Sequence, residues 1–177
     1  LLFWQPGWPY QFEWPYLRYD VPADLIFCLS DAHKERLKMD VQQAQSRIVV
    51  SGIQWRQAAM EFSSQNSRSH SRYVLGVPAN VKLVVFCDAQ VVFGGYFTAA
   101  EQVLLVRAVV EFAESRKDVC VLIKPHAGQK AGQLEALFAE RGKGRVIWIP
   151  GKDLPYHALN AADVLLTKVS TMVAEAM

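Results

Sequence analysis

The chain of 177 residues is poor in cysteine and in net charge, and it lacks the common signature loops of nucleotide and acyl chemistry. Its three cysteines, Cys28, Cys87 and Cys120, sit inside the apolar runs LIFCLS, VVFCDA and VCVLI. An odd number, widely spaced and in strand interiors, argues against a disulfide frame or a zinc site. It predicts buried, reduced thiols and a cytoplasmic protein. A formal net charge of +2 is too small to call for nucleic acid or an anionic membrane as a partner. No apolar run reaches about 18 residues, so no membrane-spanning helix is expected. No G-x-G-x-x-G follows a strand, which disfavours a dinucleotide site. No G-x-x-x-x-G-K-[ST] is present, so the chain is not a P-loop enzyme, and no G-x-S-x-G elbow marks a hydrolase of that type. No D-x-D is available to hold a metal on a sugar diphosphate, and no cofactor or metal is predicted. The opening Leu1-Leu2-Phe3-Trp4 has neither a basic stretch nor a starting Met, so it does not read as a signal peptide. The expectation is a piece of a longer protein.

What is present is apolar: 51% of the residues, enough for a sizeable core. Residues 1–20 are dense in Trp, Tyr and Pro, which excludes a long helix. They predict a loop packing its rings on a neighbouring domain, with sugar stacking or peripheral membrane contact as the functional alternatives. Residues 23–28 predict a strand, Ser30 an N-cap, and Asp31 to Lys38 a helix carrying His33 on a charged, solvated face. Arg47 to Val50 predicts a second strand, turned by Ser51-Gly52. Residues 56–72 hold a run of Ser, Asn and Gln with Arg68, His70 and Arg72. They read as a flexible hinge between residues 1–55 and a second domain over 73–177.

Beyond Tyr73 the pattern becomes regular. Strands are predicted over Lys82–Cys87, Val119–Ile123, Arg145–Ile149 and Val164–Leu166. Between them lie a helix opened by the capping box Thr98-x-x-Glu101 and running to about Arg116, a helix over Gln133–Arg141 closed by Gly142, and a short helix over Pro155–Ala162. A last helix starts near Met172. Such alternation predicts an α/β fold with a doubly wound parallel sheet, helices on both faces.

In these sheets ligands gather beyond the C-terminal strand ends. That rule selects Asp88 to Gly95, Lys124 to Gly128, Pro150 to Asp153, and Thr167 to Thr171. Lys124 and His126 leave one strand end together, a fixed positive charge beside an imidazole that can donate to a phosphate. The plainer alternative is a lysine snorkelling outward and a histidine bonding its own loop. Asp88, Gln90, Gly94 and Gly95 form a rim loop that can admit a ligand closely or simply turn. His157 reads as packing or surface. Thr167, Lys168, Ser170 and Thr171 form a polar crest before the last helix, where unpaired N–H groups and the helix dipole favour an anion. Glu175 follows as a single acid.

The run ADVLLTK, then Ser170-Thr171, then EAM resembles the donor-binding segment of GT-B-fold glycosyltransferases. The pattern ADLIFCLSDAHKERL…RIVVSGI is similar to the end of their N-terminal domain, so the resemblance covers residues 22–177. It implies a Rossmann-like, GT-B-type fragment of a two-domain protein, with the end of the acceptor domain, a hinge and most of the donor domain. It further implies that Lys124, His126, Ser170 and Thr171 hold the diphosphate of a nucleotide sugar. Glu175 would hold its ribose, the loop Asp88, Gln90, Gly94 and Gly95 would face the donor, and residues 150–153 the base. The catalytic base is expected outside this chain, and the acceptor is left unknown. Members often carry Gly-Gly where Val169-Ser170 stands here. The IKPH run also resembles the matching turn in capsule-sugar transferases and in polyol-phosphate transferases of the teichoic-acid type. A sugar-nucleotide 2-epimerase of the same fold and a non-catalytic nucleotide-sugar-binding module are the alternatives.

Overall fold

The computed structural model describes residues 2–4, 25–28, 30–40, 47–52, 54–88, 98–126, 129, 132–149, 154–167, 172 and 176. The chain divides into two compact units, Leu1–Gln57 and Ala58–Met177. The first holds a parallel three-stranded sheet in the order β1 (Leu2–Trp4), β2 (Leu25–Cys28), β3 (Arg47–Val50), with helix α1 (Asp31–Asp40) joining β2 to β3. The strand–helix–strand expected here is present. The Ser30 carbonyl accepts from the Lys34 N–H at 2.9 Å, the first helical bond, as its N-cap position requires. Leu2–Trp4 is a correction: three residues of the expected aromatic loop pair with β2, and the rest of that loop lies outside the described residues.

A second correction concerns 56–72, read as a flexible hinge. It is helical, in α2 (Gln54–Gln65) and α3 (Arg68–Val74). Serine-rich composition hid local structure of a specific kind. Ser67 caps α3 by accepting from the His70 N–H at 3.1 Å. Ser71 is fully buried, where its hydroxyl meets His157 Nδ1 at 3.1 Å and accepts from Asn160 Nδ2 at 3.0 Å. Phe62 lays its ring edge-on to His157, centroids 4.7 Å apart. Most polar residues of this stretch are exposed on the two helices, and Ser71 is the one that is buried.

The second unit carries the expected alternation: β4 (Lys82–Cys87), α4 (Ala99–Ser115), β5 (Val119–Lys124), α5 (Gln133–Phe138), β6 (Val146–Trp148), α6 (Pro155–Ala161), β7 (Val164–Thr167). All pairings are parallel, in the order β6-β5-β4-β7. β5 is buried at all six positions: Val119 to Ile123 are the continuous apolar run a doubly covered sheet requires, and Lys124 ends it. α4 begins with the expected capping box: Thr98 accepts from the Glu101 N–H at 3.2 Å, and Glu101 from the Thr98 N–H at 2.8 Å. α5 ends at Phe138, earlier than expected, and Gly142 shapes the turn that follows. Its φ is +65°, and a Cβ there would come within 2.3 Å of Val146 Cγ2, so glycine is required.

Alternate residues of the strands face two cores. On one face Leu83, Val85, Cys87, Cys120 and Leu122 pack with Ala158, Ala161 and Met172. On the other Phe86, Val121 and Ile123 pack with Val106, Val110 and Ala113 of α4 and with Leu134 and Phe138 of α5. Each large side chain so buried contributes about 1.5–3 kcal/mol. Helices thus cover both faces of this sheet, giving an α/β, doubly wound, Rossmann-like architecture. Among the described residues no helix is long and apolar enough to cross a membrane.

Candidate functional site

The strand order locates the site before any side chain is considered. The chain runs from β4 outward through β5 to β6, then returns to the other side of β4 as β7. Connections therefore diverge between β4 and β7. At such a switch point the loops beyond the C-terminal strand ends part and leave a crevice. Cys87 closes β4 there, in register with Lys124 of β5 on one side and with Thr167 of β7 on the other.

Paired residues of parallel strands project to the same face, so Lys124, Cys87 and Thr167 form one row across three adjacent strand ends. The middle of the row is filled by sulfur: Cys87 Sγ lies 3.2 Å from Met172 Sδ. Lys124 is only 5% exposed, which corrects the snorkelling alternative: its ammonium does not reach past the rim into solvent. Thr167 Oγ1 is buried without a hydrogen-bond partner.

A second polar set occupies the other face of the same edge. Asp88 follows Cys87, is 6% exposed, and donates its N–H to the Lys124 carbonyl at 3.1 Å. Its carboxylate accepts a short bond from Gln102 Nε2. The same amide nitrogen donates to Gln129 Oε1 at 2.8 Å, and the Gln129 N–H donates to the His126 carbonyl at 2.9 Å. Gln102 thus ties the end of β4 to the turn that carries Lys124 and His126. His126 itself is exposed.

Of the residues singled out from sequence, Asp88, Lys124 and His126 are brought to one edge. Gln90, Gly94, Gly95, Ser170, Thr171 and Glu175, with the loop 150–153, lie outside the described residues. Gln102 and Gln129 were not named as site residues, and Thr167 was named only as part of the polar crest, with no role of its own. A signal for Gln102 was present: it stands four residues before Val106 and seven and eight before Val109 and Val110, on the buried stripe of α4. A polar residue in such a stripe needs a buried partner. Thr167 opened the polar crest, but nothing in its type distinguished it there.

The opposite edge of the sheet has a cleft of about 860 Å³, lined in part by Arg68, Arg72, Tyr73, Lys82, Asp118 and Asp163. Its cations are already engaged. Asp163 accepts from the Leu83 N–H at 2.8 Å and pairs with Arg68 at 2.7 Å, Arg72 at 3.3 Å and Lys82 at 3.5 Å. Arg68 also donates to the Ala161 and Ala162 carbonyls, and Arg72 to those of Pro78 and Val81. Burial pushes the Asp163 carboxyl up, but the Leu83 N–H and the Arg68 and Lys82 charges outweigh it and hold it well below the usual carboxylate range. Arg68 and Arg72, expected in a flexible hinge, are instead held by a carboxylate distant in sequence. It is a clamp joining α3, β4 and β7, at the end of the strands where ligands do not usually collect.

No family model matches the sequence, and no curated protein matches it. The fold does match solved structures of the wall teichoic acid polymerase TagF. One, a histidine-to-asparagine variant soaked for 15 minutes with CDPG, has a TM-score of 0.58 at 13% identity over 86% of this chain and 35% of that one. The same variant without the soak has a TM-score of 0.56 at 12% identity, and the unsubstituted protein 0.54 at 14%. The chain spans little more than a third of the length of these structures, and at this identity the likeness is one of fold: a distant glycosyltransferase-like α/β fold.

Proposed function

We propose that the second unit binds the nucleoside diphosphate portion of an activated donor at the C-terminal edge of its sheet, and that the parent protein is a glycosyltransferase using a nucleotide sugar. The observation that carries this is the row Lys124, Cys87, Thr167 across the β4/β7 switch point. It puts a buried cation and a buried hydroxyl on the edge where such sheets take anionic ligands. In transfer from a nucleotide donor, negative charge develops on the departing diphosphate. Lys124 offsets that charge from a site poor in water, where one cation counts for more than in solvent. In this reading His126 donates to a phosphate oxygen, Ser170, Thr171 and the helix start beyond them hold the others, and Glu175 takes the ribose. Asp88, with Gln90, Gly94 and Gly95, shapes the donor loop.

A second reading is favoured by one specific finding. The similar solved structures are of a teichoic acid polymerase, and two of them were soaked with CDPG. A polyol-phosphate transferase would use the same rim, with CDP in place of a sugar nucleotide. Calorimetry with UDP, GDP, CDP and ADP tests both. Heat with any of them, lost in Lys124→Ala and Ser170→Ala, supports the donor site, and preference for CDP favours the polyol-phosphate reading. No heat at millimolar nucleotide leaves a module that does not bind the donor, and the proposal fails.

A further inference from the structure

The hydroxyl of Thr167 is a buried polar group that gives up its water without a replacement in the folded chain. Such groups destabilise a fold, and most buried hydroxyls find a partner. Arg72 Nε shares this condition, but it belongs to a guanidinium whose other nitrogens are bonded to Asp163, Pro78 and Val81. For Thr167 the orphan is the only polar atom of the side chain. Its place is also different: the last residue of β7, level with Cys87, two strands from Lys124, at the switch point of the sheet. Strand spacing puts Thr167 and Lys124 about 10 Å apart along the row, a span that a diphosphate with its flanking groups can bridge. A threonine at the end of a strand suits β-branched packing, but valine would serve the packing equally and leave no unsatisfied hydroxyl.

We propose that Thr167 is a ligand contact of the rim site, its hydroxyl donating to an anionic oxygen of the donor diphosphate. This rests on the reading of that edge as a nucleotide-diphosphate site and adds a residue to it. The hydroxyl is held ready in a buried position, so the donor gains a bond that water does not contest, and the unliganded protein bears the cost of the unsatisfied group.

The test compares wild type with Thr167→Val and Thr167→Ser, by thermal unfolding without nucleotide and by calorimetry with CDP and UDP. The expected result is a higher melting temperature for Thr167→Val without nucleotide, with affinity lowered at least about tenfold, as for loss of a hydrogen bond to a charged group. Thr167→Ser keeps affinity within about threefold, since the donor remains. A Thr167→Val protein that melts below wild type shows that the hydroxyl is satisfied in the fold and overturns the proposal. Equal affinity of wild type and Thr167→Val overturns it as well, while leaving the donor site standing. Absence of heat from wild type removes the donor site and this contact together. The unliganded melting temperatures still report on the hydroxyl in that case.

Discussion

The two edges of the β6-β5-β4-β7 sheet use similar residues to different ends. At the N-terminal edge Asp163 gathers Arg68, Arg72, Lys82 and the Leu83 N–H, and the two arginines reach further to backbone carbonyls. Charges there are matched within the fold, and the cluster joins three elements. At the C-terminal edge Lys124 is buried, Asp88 is tied through Gln102 to the neighbouring turn, and Thr167 keeps an unsatisfied hydroxyl. In the first, one guanidinium nitrogen, Arg72 Nε, is left over from a group otherwise bonded. In the second, the orphan is the whole polar function of Thr167, and such features gather where a ligand is to be met. The cleft of about 860 Å³ lies over the charge-matched cluster, not over the row of Lys124, Cys87 and Thr167.

This contrast can be broken by substitution. Asp163→Ala strips three cations of their carboxylate and the Leu83 N–H of its acceptor. It should cost about 3 kcal/mol in urea unfolding, with nucleotide affinity unchanged where the protein remains folded. Lys124→Met should lower nucleotide affinity by about ten- to hundredfold in calorimetry. Lys82→Met makes the same change of charge at the opposite edge and should leave affinity as it was. Equal losses from Lys124→Met and Lys82→Met would mean that the two edges do not differ as described. Gln102→Leu leaves the buried Asp88 carboxylate short of a donor. It should destabilise by about 1–3 kcal/mol and weaken nucleotide binding by loosening the turn that carries Lys124 and His126.

Two pH effects sharpen the picture, the larger first. The Asp163 carboxyl is held below its ordinary range, so the unfolded chain binds a proton the folded chain refuses. Its contribution is complete above the unfolded carboxylate value of about 4 and is lost as pH falls below it. Stability measured from pH 5 down to pH 2 should therefore fall in wild type and fall less in Asp163→Ala. His157 is lowered by burial and then by the nearby His70, whose ring lies 5.8 Å away. It too favours the neutral form in the fold, so its contribution is present above the unfolded value of about 6.5 and is lost as pH falls through it. His157→Gln should flatten the smaller slope between pH 7 and pH 5.

Much of the second unit was legible because its residues repeat simple periods. Val119 to Ile123 reads as a strand from its unbroken apolar run, and Thr98-x-x-Glu101 announces the start of α4. Residues 56–72 were misread because serine and asparagine are as frequent in loops as in caps. Only a buried position for Ser71, and a carboxylate 91 residues away for Arg72, separates the two cases. Lys124 and Asp88 were visible as rim residues from the strand ends, but their burial and the Gln102 link were not. Gln102 is 14 residues from Asp88 and 27 from Gln129, too far for any local pattern to join them.

The order of apolar runs and breakers along this chain determined by itself that strands and helices alternate, and therefore that a covered parallel sheet forms, since each such element has one way to hide its apolar side. Which polar groups find partners was decided only in three dimensions, when strands distant in sequence took adjacent places. Local sequence carries the free energy of periodic burial. The satisfaction of a buried hydroxyl or carboxylate depends on atoms that folding brings from elsewhere, and so Asp163 came out matched and Thr167 did not.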